Sequence, residues 1–175
     1  MITSNIYEEL SNFYHKKTFS SKWKLNCGSG NTKLDEIQIF LKYLDNKKEE
    51  IKNVEEFDSN FLYKEKDVIE PGDVEYKKQS YQITHGNINS YSEFMRIKSK
   101  SEKVSFIIPY VVEDIKKSTL KIINQKEKMA DSKTILLVML DRKEFKKELY
   151  FEDVELKTRW KNIVFVFNDS NLKIF

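Results

Sequence analysis

Asp73, Gln82 and Thr84 are the residues of this chain best placed to do chemistry together. They lie in Glu70–Pro71–Gly72–Asp73–Val74–Glu75 and Tyr81–Gln82–Ile83–Thr84–His85–Gly86. These read as two short strands joined by a tight turn at Lys77–Ser80. Side chains alternate along a strand, so Gln82 and Thr84 share a face while Ile83 packs behind. Asp73, across the hairpin, converges on Gln82 if both point to that face. Oxygen-bearing side chains gathered in this way suit a hard cation. Such a cation would acidify a bound water. The same residues also fit the ordinary polar face of a half-buried strand.

The elements that must hold this hairpin can be read in order. Ile6 to Tyr14 has helical spacing of apolar and aromatic residues. Asn26–Asn31 reads as a loop. Thr32 opens a helix, with Asp35 as a capping partner, and Leu34, Ile37, Leu41 and Leu44 share one face to about Lys52. Phe57–Tyr63 reads as a strand, followed by the hairpin. Asn89 or Ser90 caps a helix carrying Tyr91, Phe94 and Met95, and Val104–Ile108 is apolar and ambiguous. Pro109 suits a first helical turn. Val112, Ile115, Thr119, Ile122 and Ile123 continue one face to about Met129. Thr134–Leu140 and Ile163–Phe167 are apolar runs of the kind found in strands buried on both sides. Arg142–Tyr150 reads as a short helix and Leu172–Phe175 as an edge strand. Meandering strands followed by a crossover predict an α/β fold, with a mixed central sheet flanked by helices. Ile135–Leu140 and Ile163–Phe167 are expected to be neighbouring central strands, with the hairpin in the same sheet.

This order, together with Glu70-Pro-Gly-Asp73 and Gln82-Ile-Thr84, resembles the PD-(D/E)XK nuclease superfamily. Its core runs helix, three-stranded meander, helix, strand, with acids on the second and third strands. The resemblance implies a restriction-endonuclease-like core over about residues 34–167. Residues 1–33 then form an N-terminal helical extension, within a single domain of residues 1–175. It implies a metal-dependent hydrolase acting on nucleic acid, with magnesium as cofactor. Asp73 takes the place of the family's first acid, a magnesium ligand. Gln82 falls where the second acid and metal ligand stands, and Thr84 where the lysine stands. Glu36, on the first long helix, is in the place of an acid that some members add. Gln-x-Thr therefore replaces Glu-x-Lys. Gln82 brings an amide oxygen but no charge, and Thr84 cannot act as a lysine. His85, Lys77, Lys78 and Glu75 are nearby substitutes, and nothing in the sequence selects one. The alternative is a nuclease-fold module without catalysis that binds nucleic acid or a protein partner.

Composition frames both readings. The chain has 31 Lys and Arg against 28 Asp and Glu, so any basic site must be a local patch. Arg96, Lys98, Lys100 and Lys103, with Tyr91 nearby, are the expected phosphate contacts. A solvated helix face is their plainer reading, as it is for Lys116, Lys117 and Lys121. One cysteine, Cys27, excludes both an internal disulfide and a cysteine-based zinc site. Gly28-Ser29-Gly30-Asn31-Thr32-Lys33 lacks the spacing of a phosphate-binding loop. A catalytic pair of Cys27 with His85 is an alternative, against the plainer reading of an exposed thiol in a glycine loop. Met1-Ile2-Thr3-Ser4-Asn5 carries no basic region followed by an apolar run, so no signal peptide is expected. No stretch reaches the ~18–20 apolar residues of a membrane span. A cytoplasmic protein with no membrane partner is the expectation.

Overall fold

The computed structural model describes residues 3–18, 30–64, 72–86, 112–140, 156–167 and 170–173. Their elements in chain order are α1 (Thr3–Thr18), α2 (Gly30–Asn46), α3 (Val54–Asn60), β1 (Phe61–Tyr63), β2 (Val74–Tyr76) and β3 (Gln79–His85). They continue with α4 (Val112–Lys126), a 3-10 turn (Glu127–Met129), β4 (Ile135–Met139), β5 (Asn162–Val166) and β6 (Asn171–Lys173). The strands form one sheet in sequence order, β1-β2-β3-β4-β5-β6. The β1–β2, β2–β3 and β5–β6 pairs are antiparallel, and β3–β4 and β4–β5 are parallel. This is the α/β fold with a mixed, helix-flanked sheet that the sequence predicts. The two apolar runs are adjacent central strands, in one sheet with the hairpin.

Alternation along β4 divides the core into two layers. Ile135, Leu137 and Met139 face the layer containing α1, α2 and α3. Leu136, Val138 and Leu140 face the layer containing α4. The first layer is rich in rings. Phe40, Phe57, Phe61, Tyr76 and Tyr81 meet at centroid distances of 4.9–5.7 Å, a range in which ring pairs add to plain area burial. Tyr14 of α1 is fully buried there and donates 2.6 Å to Asp58 Oδ1, which also pairs with Lys17. Burial and the Asp58 carboxylate push the Tyr14 phenol well above its ordinary value, so it stays a donor. In the second layer Ile123 and Thr119 of α4 are buried over β4. Gly86 follows β3 there, and a β-carbon on it would lie 2.5 Å from Leu140 Cδ2.

Several boundaries differ from the sequence reading. Helix α2 begins at Gly30, so Gly30 and Asn31 are helical rather than loop. It ends at Asn46, not near Lys52, because a Schellman motif closes it. Lys48 N–H donates to Asp45 O, Glu49 N–H donates to Leu44 O, and Lys48 takes φ 54°. Phe57–Asn60 is helix, not strand, and only Phe61–Tyr63 is extended. Asn53 caps this helix by accepting from Glu56 N–H at 2.8 Å, and Glu56 Oε2 in turn accepts from Lys52 N–H. The hairpin turn is Lys77–Lys78 alone, both at positive φ, the two-residue connection whose twist suits paired strands. Helix α4 ends at Lys126, and the 3-10 turn carries on to Met129. The readings at Asn89–Met95, Val104–Ile108 and Arg142–Tyr150 lie outside the described residues. Among the described residues, no helix is long and apolar enough to cross a membrane.

Candidate functional site at the β2–β3 hairpin

Strand β3 is seven residues long and β2 only three. Their pairing stops at Val74 opposite Tyr81. Beyond that point Ile83 N–H loses its ladder partner, and a buried N–H left alone is costly. Asp73 fills the gap. Its Oδ2 accepts from Ile83 N–H at 2.7 Å, and its own N–H donates to Tyr81 O at 2.7 Å. The same Oδ2 accepts from Gln82 Nε2 at 2.5 Å. Gln82 Oε1 accepts from Gly72 N–H at 3.2 Å. Gly72 is at φ 111°, a conformation that favours glycine. Asp73, Gln82 and Gly72 thus form a closed clasp over the divergence of β2 from β3.

Both neighbours of the clasp fix the orientation of the Gln82 amide. Gly72 N–H needs an oxygen and Asp73 needs a donor, so rotating the amide would break both bonds. Gln82 is 2% exposed and Thr84 7%. Tyr81 and Ile83 belong to the ring-rich layer. Gln82 and Thr84 therefore face the other way, in register with Leu136 and Val138 on the α4 side.

The other sequence candidates lie apart from this pair. Glu36 of α2 accepts from the Tyr63 hydroxyl at the end of β1. Tyr63 packs against the ring-rich layer, so Glu36 stands on the opposite side of the sheet from Gln82 and Thr84. His85 is half-buried at the end of β3, opposite Met139. Lys64 is absent from the sequence candidates, yet its N–H donates to Asp73 O at 3.0 Å and its Nζ to Ser80 Oγ at 3.2 Å. Its position directly after β1, facing the hairpin, is the signal that could have found it. Glu70, Cys27, Arg96, Lys98, Lys100 and Lys103 lie outside the described residues.

A magnesium ion at Asp73 and Gln82 would need two oxygens facing it. Here the amide presents its NH₂ group to Asp73 and turns its oxygen to Gly72. That arrangement does not fit a hard cation between the two side chains. Among the described residues, no three His, Cys, Asp or Glu side chains gather as a metal-binding group. Chemically, the clasp holds a carboxylate by N–H donors and pins the end of the hairpin. Compared with family models, curated proteins and solved structures, the chain matches none.

Proposed function

We propose that this chain is a nuclease-like module of the PD-(D/E)XK kind that binds nucleic acid without cutting it. The element order supports the resemblance: helix α2, the β1–β2–β3 meander, α4, and β4 parallel to β3. The observation that carries the reading is the Gln82 amide donating to Asp73. Two facing carboxylates repel each other and call for a cation between them. An amide beside a carboxylate is already satisfied. The position that would recruit metal has become an internal hydrogen bond, while Asp73 keeps its place at the start of β2.

That retained Asp73 favours the second reading, a magnesium-dependent endonuclease, and one experiment separates the two. The protein is incubated with single- and double-stranded DNA and RNA in Mg²⁺ or Mn²⁺, and binding is followed by fluorescence anisotropy. Salt-dependent binding with intact substrates is expected. Cleavage that Asp73→Ala abolishes at a temperature where the variant remains folded would establish the active enzyme instead; its melting temperature should fall, because Ile83 N–H and the Gln82 amide lose their acceptor. Absence of binding at low ionic strength would point to a protein partner.

A further inference from the structure

The parallel strands begin level with one another. Gln79 Nε2 donates to Lys133 O at 2.5 Å, and Lys161 N–H donates to Thr134 O at 2.9 Å. The Lys77–Lys78 turn, Lys133 and Lys161 are thereby brought to one end of the sheet, although they are far apart in sequence. This is the end away from the clasp, since Gln82 lies further along β3. Lys78, Lys133 and Lys161 are all exposed. Lys161 Nζ is steered by a neutral group, Gln79 Oε1, at 2.5 Å.

Three acids near this end are held by protein partners, and Asp131 also feels the Lys133 charge. Glu127 accepts from Arg159 N–H and from the Thr158 hydroxyl. Asp131 Oδ1 accepts from the N–H groups of Lys133 and Thr134. Glu49 pairs with Lys77. Lys78, Lys133 and Lys161 make no ion pair with a carboxylate among the described residues. Neighbouring strands lie about 4.8 Å apart, so the three cations span roughly 10–15 Å across β3, β4 and β5. Duplex DNA carries a charge about every 1.7 Å of its axis, so such a row faces several phosphates at once.

We infer that the sheet end formed by Lys78, Lys133 and Lys161 is a phosphate-backbone contact surface for nucleic acid, distinct from the hairpin clasp. The inference rests on the nucleic-acid reading above and names where the contact is made. Lysine is a point charge without the planar fork that reads bases, so binding here is independent of sequence.

The test is anisotropy of a short labelled duplex over a series of salt concentrations. It compares wild type, Lys78→Asn/Lys133→Gln/Lys161→Gln and the matching triple arginine variant. The neutral triple variant should flatten the slope of log affinity against log salt by about 0.9 for each phosphate it no longer neutralises. The arginine variant should keep the wild-type slope. The side chains are exposed, so melting temperatures should be unchanged. If the triple variant unfolds, Lys78→Asn/Lys133→Gln leaves the Lys161–Gln79 bond intact and should flatten the slope by roughly 1.8, for two phosphates. A wild-type slope in the neutral variants, with wild type binding, overturns the inference and leaves the nucleic-acid reading standing. No salt-dependent binding by wild type overturns both.

Discussion

At the scale of single residues, Gln82 decides what the hairpin can do. Gln82→Glu would set a second buried carboxylate against Asp73 in place of a donor. Its pKa should then be raised by burial and by the like charge. A raised folded-state pKa gives stability that is present at low pH and lost as pH rises through it. The variant should match wild type in acid and be weaker by roughly 3 kcal/mol at neutral pH. Millimolar Mn²⁺ should raise the variant's melting temperature and leave that of wild type unchanged. Equal stabilisation of wild type by Mn²⁺ would show that its own Asp73 and Gln82 hold metal. Asp131 is a second titrating example. Burial raises its pKa, but the N–H groups of Lys133 and Thr134, the Thr134 side chain and the Lys133 charge outweigh that and bring it below the ordinary value. Its contribution is therefore present above the ordinary aspartate range and lost as pH falls through the lowered value. Asp131→Asn should flatten the acid limb of a pH–stability profile, and an unchanged limb would show that the turn does not depend on the charge. The closeness of Asp73 and Gln82 was legible in the sequence, since strand alternation and a tight turn set them opposite each other. The direction of the amide was not, because it is fixed by Gly72 N–H, which no side-chain pattern reveals.

At the scale of elements, the differences from the sequence reading have separate causes. Helix α2 stops at a left-handed residue, but that residue is Lys48 rather than glycine, so the apolar periodicity carries no visible stop. Lys48→Gly should stabilise the fold by about 1 kcal/mol by removing the left-handed penalty of a side chain. Chemical denaturation reads this directly, and a drop in stability would show that the Lys48 side chain contributes more than its backbone strain costs. Helix α3 was hidden because Phe57, Phe61 and Tyr63 suggest strand alternation, although Asn53 and Glu56 carry the spacing of a cap. The central strands were legible because branched apolar runs have few alternatives when both faces are buried. The lysine-bearing sheet end was not, since only the register of three strands brings residues 78, 133 and 161 together.

At the scale of the whole molecule, the end of β5 and the start of β6 are tied to the end of α2 by an asparagine. Asn46 Nδ2 donates to Phe167 O, Ser170 O and Asn171 Oδ1, and Asn171 Nδ2 donates back to Tyr43 O. The stitch joins residues more than 120 positions apart. Synthesis runs in one direction, so Asn46 waits for its full set of acceptors until residue 171 has been added. At about 5–20 residues per second, that interval is roughly 6–25 s. The ring-rich layer needs no such delay within its first half, because Tyr14, Phe40, Phe57, Phe61, Tyr76 and Tyr81 all precede α4. Translation thus delivers the hairpin and its supporting helices first, and the far edge of the sheet is fastened last.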